Sequence, residues 1–377
     1  MSRVAIMSNS KTSIKHPRPE LIDSIKSRMD RVYVGLVNDG KINDYYKLNN
    51  IRVIKIDANR NNINPIKELK SIINISKKLK ENKINSVIIY GVKNHISMTI
   101  GAKLAGVNKI MCVVNGRGNL FVQKGLKWEI VRFMSLPMLK LAYSLADNIC
   151  FQNNDDRKLF IDNKLVKDGI KLFTTNGSGV NLQEFPLTQI VSDISFLFLS
   201  RITKSKGVED YIEAARIVKG KYPEAIFNIV GPIDNTVEKS DLNSILQDAV
   251  KEGIVKYHGE TDNVSRCIGN CRYFVFPSYY PEGVPRSILQ ALATGRPVIT
   301  CNTPGCKETV INKVNGFIVE KNNREQLAEK MIRLIEHTNE TDIMAVESRK
   351  LSEKKFDVNK INSQILKKLL FYEDTND

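Results

Sequence analysis

Residues 273–301 read YFVFPSYYPEGVPRSILQALATGRPVITC, in which two short apolar runs flank a segment with helical spacing. The apolar runs Tyr273–Phe276 and Val298–Cys301 predict two short buried strands. The residues between them have the apolar spacing of a helix, from about Arg286 to Ala293. Pro285 at the helix start fits the usual asymmetry of helix ends. A strand, a helix and a second strand in this order predict a parallel sheet covered by helices.

The same alternation extends along most of the 377 residues. In the first half, strands are predicted at Arg3–Ser8, Arg31–Val37, Ile51–Ile56, Asn85–Tyr90, Lys109–Val114 and Asn148–Gln152. The pattern loosens near residues 180–193 and then restarts. We therefore predict an α/β protein of two doubly wound domains, 1–185 and 186–377, with a cleft between them. The last predicted helix, about 358–370, could pack on either domain.

The composition narrows the possible partners and location. A formal net charge of +16 predicts an anionic partner, yet no nucleic-acid-binding module accompanies it. We predict no nucleic acid partner. No apolar run is long enough to span a bilayer, and the N-terminus lacks the features of a signal peptide. Six cysteines fit reduced thiols in the cytoplasm better than a zinc site.

Charged side chains follow the predicted strand at residues 194–200. Arg201 and Lys206 place a forked guanidinium and a flexible ammonium in one loop, which ends at Gly207. Because ligands of doubly wound sheets bind beyond the carboxyl ends of strands, these cations suit a diphosphate. A solvated basic turn is the alternative for this segment taken alone.

Two further loops occupy equivalent positions in the same domain. Glu282 can accept hydrogen bonds from sugar hydroxyls, and Gly283 lets a ligand approach the backbone before the predicted helix begins. Gln290 lies off the apolar face of that helix. The third loop, residues 303–308, contains Gly305 and offers backbone donors. Each residue alone also fits an ordinary surface position, but that explanation is poor for all three loops together.

These motifs resemble the donor site of retaining GT-B glycosyltransferases of family 4. The resemblance rests on Glu282 to Val298, together with Arg201, Lys206 and Gly207. Further similar segments are Pro304–Glu308, Asn315–Phe317, Tyr90–Asn94, Asn115–Gly118 and Phe151–Arg157. The N-terminal motifs resemble the branch that builds capsule and O-antigen repeat units on a polyprenyl diphosphate.

The resemblance implies a GT-B fold, with two Rossmann-like domains facing a central cleft, and a role for each site residue. Arg201 and Lys206 would neutralise the leaving diphosphate, and Glu282 would bind the transferred sugar. The implied donor-binding residues are Gly283, Val284, Pro285, Gln290 and Gly305. The implied substrates are a UDP-sugar carrying a hexose or N-acetylhexosamine and a polyprenyl-diphosphate-linked saccharide, with no metal and no cofactor. The family usually has glutamate at position 290, so glutamine here predicts weaker ribose binding.

The first domain offers candidates for contact with the acceptor or the donor sugar. Many relatives carry a histidine in the loop that reads VVNGR at residues 113–117, but this chain has none there. Asn115 and Arg117 are the candidates in that loop. Lys93 and His95, just after another predicted strand, are further candidates. An ordinary loop histidine is the alternative for His95.

A basic and apolar segment in the first domain predicts contact with an anionic membrane. Residues 124–128 and 130–134 mix cations with large apolar side chains, and the only tryptophan lies there. The alternative is a core helix with a basic outer face. The first interpretation places the protein peripherally on the inner face of the cell membrane.

Two other functions use the same architecture. A UDP-sugar epimerase has the same two-domain fold, so the fold alone does not exclude it. A sugar-nucleotide-binding protein with a degraded site would explain Gln290 and the missing histidine. Retention of Arg201, Lys206 and Glu282 favours sugar transfer over both.

Overall fold

The computed structural model describes residues 2–8, 19–37, 46, 48–56, 65–169, 171–234 and 241–370. The chain forms two compact units. The first contains Met1–Thr175 together with Asn359–Asp377, and the second is Asn176–Val358.

The first unit is built on a parallel sheet of seven strands in the order β3-β2-β1-β4-β5-β6-β7. The strands are β1 Arg3–Ser8, β2 Arg31–Val37, β3 Arg52–Ile56, β4 Ser86–Tyr90, β5 Lys109–Val114, β6 Asn148–Phe151 and β7 Leu172–Thr174. The described helices are α1 Pro19–Lys26, α2 Pro65–Glu81, α3 Val92–Leu104, α4 Asn119–Val122, α5 Leu126–Leu145, α6 Asn154–Asp162 and, from the chain end, α13 Val358–Leu370. Strand β7 was not predicted, because three residues are too few to show a pattern.

Helices cover both faces of this sheet. On one face α2, α3 and α5 pack through residues such as Leu79, Met98 and Leu139. On the other face α1 and α13 pack through Leu21 and Ile365. The near-continuous apolar strands therefore have the two-sided burial that a doubly wound sheet requires.

The second unit repeats the design with six parallel strands in the order β10-β9-β8-β11-β12-β13. They are β8 Ser195–Leu199, β9 Ile226–Val230, β10 Lys256–Tyr257, β11 Tyr273–Phe276, β12 Val298–Cys301 and β13 Gly316–Val319. The helices are α7 Val208–Lys221, α8 Asp241–Lys251, α9 Val264–Gly269, α10 Arg286–Ala293, α11 Arg324–Glu336 and α12 Thr338–Leu351. Separate apolar clusters fill the two faces. The predicted α/β class with two Rossmann-like units is confirmed.

The first unit ends at Thr175, ten residues before the predicted limit, and the last helix packs on the first of its two predicted alternatives. Residues 176–185 belong to the second unit, where the Val180 N–H donates to the Phe356 carbonyl at 2.8 Å and Phe185 is buried. At the chain end, α13 buries Ile361 and Leu369 in the core of the first unit. The chain therefore leaves the first unit after Thr175 and returns to it with this helix.

Candidate active site

Three loops of the second unit lie next to one another because of the strand order. They span residues 200–207 after β8, 277–285 after β11 and 302–309 after β12. Strand β11 pairs in parallel with both β8 and β12, so all three loops leave the same edge of the sheet. The predicted convergence of these loops is therefore present in the structure.

Backbone hydrogen bonds join the three loops. The N–H groups of Tyr279 and Tyr280 both donate to the Ser205 carbonyl, at 3.1 and 3.2 Å. The Glu282 N–H donates to the Pro304 carbonyl at 3.1 Å. The middle loop is thus held from both sides, which fixes the position of Glu282.

Lys206 and Glu282 form an ion pair between the first and second loops. Both side chains are mostly shielded, with 15% and 17% of their surface exposed. The Lys206 ammonium also lies 5.5 Å from the centre of the Phe276 ring and 5.8 Å from that of Tyr280. Such rings attract a cation through their negative faces. The carboxylate and the two rings therefore hold the ammonium at a defined point.

Ser278 links all three loops, and the sequence did not single it out. Its hydroxyl lies 3.3 Å from the Ser205 carbonyl and 3.5 Å from the Glu282 carboxylate, and it accepts the Tyr280 N–H at 3.3 Å. Its carbonyl accepts the Thr303 hydroxyl at 2.9 Å. The signal in the sequence that could have identified Ser278 is its position as a polar residue two places after a buried strand. Ser278 stabilises the arrangement around Glu282.

Two glycines permit the close approach of the loops. Gly207 has φ of 77°, and a Cβ there would collide with the Pro277 carbonyl. Gly305 has φ of 82°, and its Cβ would lie 2.6 Å from the Glu282 carbonyl oxygen. L-residues with side chains rarely adopt this backbone conformation, so both positions require glycine.

The remaining predicted donor-binding residues lie at or on α10. Gly283, Val284 and Pro285 are buried immediately before the helix. The N-terminal end of α10, which carries a positive partial charge, begins four residues after Glu282. Gln290 is half-buried, whereas the apolar positions of the helix face the core as predicted.

Arg201 lies in the first loop but has a different partner. Its guanidinium pairs with Asp234 at 3.3 Å, and 58% of its side chain is exposed. Asp234 follows β9, the next strand of the sheet. The structure therefore joins Lys206 and Glu282 directly and leaves Arg201 on the exposed side of the same loop.

The cysteine in the third loop is fully buried. Burial raises the pKa of the Cys306 thiol to about 12. A thiol with this pKa stays protonated near neutral pH and is a poor nucleophile or metal ligand. Among the described residues, no three histidine, cysteine, aspartate or glutamate side chains cluster closely enough to hold a metal ion.

In the first unit, Arg117 has a structural partner. Its Nε lies 2.7 Å from a carboxylate oxygen of Asp156, whose side chain is fully buried. Asn153 caps α6 by accepting the Asp156 N–H, and its amide donates to the same carboxylate. Burial raises the pKa of Asp156, and Arg117 opposes that shift. Asn115 and Lys93 are both exposed.

His95 is buried rather than placed in a surface loop. It is the fourth residue of α3, and none of its surface is exposed. Its Nε2 donates to the Ile89 carbonyl at 3.2 Å, so Nδ1 accepts the Tyr143 hydroxyl at 2.9 Å. Burial lowers its pKa to about 4, which keeps the ring neutral. The expected contact of His95 with a sugar is corrected to a structural role in the core.

A protein-family model matches the region of the second unit that contains this site. Residues 183–351, which contain all three loops, match the family model described as "Glycosyl transferases group 1". The second unit carries a glycosyl transferases group 1 domain. The Lys206–Glu282 pair and α10 both lie within this group 1 domain.

Curated relatives extend the similarity beyond the group 1 domain. A Campylobacter jejuni protein is 28% identical over 348 residues, covering 89% of each chain, and is named N,N'-diacetylbacillosaminyl-diphospho-undecaprenol alpha-1,3-N-acetylgalactosaminyltransferase. An Escherichia coli protein is 26% identical over 314 residues, covering 78% of this chain and 77% of its own. It is named UDP-Gal:alpha-D-GlcNAc-diphosphoundecaprenol alpha-1,3-galactosyltransferase.

A solved structure supports the fold. The crystal structure of Anabaena Alr3699/HepE in complex with UDP and glucose has a TM-score of 0.77 at 19% identity, covering 98% of this chain and 99% of that chain. At this identity the likeness concerns the fold alone. None of the described helices combines the length and the hydropathy that a membrane-spanning segment needs.

Proposed function

We propose that this protein is a retaining, metal-independent glycosyltransferase. It transfers a hexose or N-acetylhexosamine from a UDP-sugar to a polyprenyl-diphosphate-linked saccharide during synthesis of a bacterial surface polysaccharide. The observation that carries the proposal is the Lys206–Glu282 pair, held between three loops of the group 1 domain.

The leaving diphosphate would be stabilised by positive charge. Breaking the bond between sugar and phosphate develops negative charge on the diphosphate, and fixed donors aimed at that charge lower the barrier. Lys206 and the start of α10 supply such donors beside Glu282, and Arg201 adds a guanidinium from the same loop as Lys206. Three positive groups would make a divalent metal unnecessary.

The sugar and the ribose would be held by the second loop and α10. The Glu282 carboxylate can accept hydrogen bonds from two sugar hydroxyls. Gln290, half-buried about one turn into α10, would bind the ribose through its side-chain carbonyl. In a retaining reaction of this kind the leaving phosphate helps to deprotonate the acceptor, so no separate base is required.

The names of the two curated relatives support the acceptor class. Both describe transfer to a sugar on a diphosphate of undecaprenol. Such an acceptor is a membrane lipid, so we propose that the enzyme works peripherally at the cytoplasmic face of the cell membrane.

The decisive experiment incubates the purified protein with a panel of UDP-sugars and a synthetic polyprenyl-diphosphate monosaccharide, in the presence of EDTA. We expect a new disaccharide-lipid whose anomeric configuration, measured by NMR, matches that of the donor. Interconversion of free UDP-sugars without a new lipid would replace the proposal with an epimerase. Loss of turnover in EDTA would contradict the proposed metal independence but not the proposed sugar transfer.

The role of Glu282 is tested in the same assay. Glu282→Ala is expected to abolish turnover while the far-UV circular dichroism stays that of the wild type. The matched control is Glu329→Ala, whose side chain is 65% exposed on α11 of the same unit. Wild-type turnover in Glu282→Ala would remove this residue from the site.

A further inference from the structure

An apolar stripe runs along the outer side of α5 in the first unit. Six large apolar side chains on this helix are exposed, at fractions of 37% to 83%. They are Leu126, Ile130, Phe133, Met134, Met138 and Leu141. Their spacing places all of them on one side of a helix, and Pro137, also exposed, lies among them. At 1.5 Å per residue the stripe is about 22 Å long.

The opposite side of α5 packs against the rest of the first unit. Leu139, Ala142 and Tyr143 are buried against the core of the first unit. One face of the helix therefore packs on the core, and a second apolar face remains exposed. An exposed apolar surface of this extent marks a binding surface in most proteins.

Basic side chains border the stripe. Lys124, Lys127 and Lys140 are all exposed, whereas Glu129 is the one acidic residue within α5. Lysines around an apolar face give the combination that binds anionic lipid headgroups and acyl chains together. A second protein would require its own complementary apolar face, but a lipid bilayer accepts any apolar stripe rimmed by cations.

Helix α2, in the same layer of helices, carries a similar pattern. It packs on the same face of the first sheet as α5, through Leu79. Its outer side exposes Ile66, Leu69 and Ile73 at 67%, 58% and 58%. Exposed lysines surround these residues, at positions 67, 70, 77 and 80. Apolar residues bordered by lysines thus recur on two helices of one layer.

We infer that α5 lies in the interface of an anionic phospholipid membrane, with its 126–141 stripe in the acyl region and its lysines at the headgroups. The helix would rest in the plane of the membrane and not cross it. Binding of this kind needs neither donor nor acceptor, so it can hold or fail independently of sugar transfer.

Vesicle binding by the full-length protein tests the inference. The probes are vesicles of phosphatidylglycerol with phosphatidylcholine, and vesicles of phosphatidylcholine alone. Trp128, the only tryptophan, lies on α5, so its fluorescence reports directly on this helix. We expect cosedimentation with the anionic vesicles and a blue shift of the emission, and much weaker binding to the neutral vesicles.

Two variants separate the apolar and the electrostatic contributions to vesicle binding. The triple variant Ile130→Gln, Phe133→Gln, Leu141→Gln should weaken binding by about tenfold or more. Its control is Ile343→Gln, an equally exposed position at 64% on α12 of the other unit. The triple variant Lys124→Gln, Lys127→Gln, Lys140→Gln should remove the salt-sensitive part of binding, with Lys256→Gln as its control.

Failure of the wild type to bind anionic vesicles, or wild-type binding by the apolar triple variant, would overturn the inference. A wild-type dimer that the apolar variant converts to a monomer, with no vesicle binding, would assign the stripe to a second copy of the chain. Because the substituted residues are exposed, an unchanged Tm is expected and verifies folding. Glu282→Ala should bind vesicles like the wild type, even with sugar transfer abolished.

Discussion

The Lys206 ammonium and the Glu282 carboxylate neutralise each other across two loops that are 76 residues apart in sequence. In the proposed function the lysine binds the diphosphate of the donor and the glutamate binds its sugar. A donor that bound here would therefore meet both groups at once. The pair also keeps the lysine in place before the donor arrives, so its position costs no reorganisation during the reaction.

Replacing Lys206 with methionine tests its assignment to the diphosphate. We expect kcat/KM to fall about 100-fold, as when one preorganised donor to a developing charge is removed. UDP affinity should fall, whereas uridine affinity should stay unchanged, since uridine lacks phosphate. Calorimetry with both ligands makes this comparison.

The matched control is Lys204→Met, because Lys204 is exposed in the same turn. Equal losses of uridine and UDP binding in Lys206→Met would indicate that the lysine only supports Glu282. In that case the diphosphate must be held by other groups.

Gln290→Glu should tighten UDP binding. A carboxylate accepts stronger hydrogen bonds from ribose hydroxyls than an amide does, and we expect a gain of about 1 kcal/mol, or about fivefold in Kd. Gln247→Glu, at an exposed position on α8, adds the same charge elsewhere in the unit. An unchanged Kd for UDP in Gln290→Glu would place the ribose away from this residue.

The strands and helices of the second unit were predictable because each one depends on the apolar spacing of neighbouring residues in the sequence. Strands β11 and β12 and helix α10 have the bounds that the apolar pattern predicted. Their order also determined which loops would meet, because parallel neighbours end at the same edge. The convergence of the three loops could therefore be predicted without knowledge of side-chain packing.

Side-chain partners were not predictable in the same way. His95 follows β4 closely, so the sequence alone fitted a loop residue, but α3 begins at Val92 and turns position 95 towards Tyr143. Arg201 pairs with Asp234, which follows a different strand. Such pairings depend on residues far apart in sequence and on the direction in which each side chain leaves its helix or loop.

Arg117→Leu should destabilise the first unit. The substitution leaves the buried Asp156 carboxylate without its cation, and breaking one side of a buried pair costs about 3 kcal/mol. Urea unfolding measures this loss. The double variant Arg117→Leu, Asp156→Asn should regain part of it, because the uncompensated charge is removed.

Arg157→Leu provides the comparison, since its partner Asp168 has 64% of its side chain exposed. We expect a much smaller loss of stability there, because solvent screens an exposed pair. If Arg117→Leu is as stable as the wild type but loses sugar transfer, Arg117 contacts a substrate and its pairing with Asp156 is secondary.

His95 should make the stability of the protein depend on pH between about 4 and 6.5. Burial lowers the pKa of the folded-state ring to about 4, below the value of 6.5 for an unperturbed histidine. In this window the unfolded chain binds a proton that the folded chain does not, so the free energy of unfolding falls as the pH falls. The full contribution to stability is about 3 kcal/mol, which is present above pH 6.5 and is lost by about pH 4.

Urea unfolding at several pH values measures the slope, and His95→Gln should flatten it whatever its own stability at neutral pH. His258→Gln is the matched control, because His258 is an exposed histidine of the second unit. An undiminished slope in His95→Gln would mean that other groups dominate the acid dependence. It would also mean that His95 is not held neutral by the core around Ile89 and Tyr143.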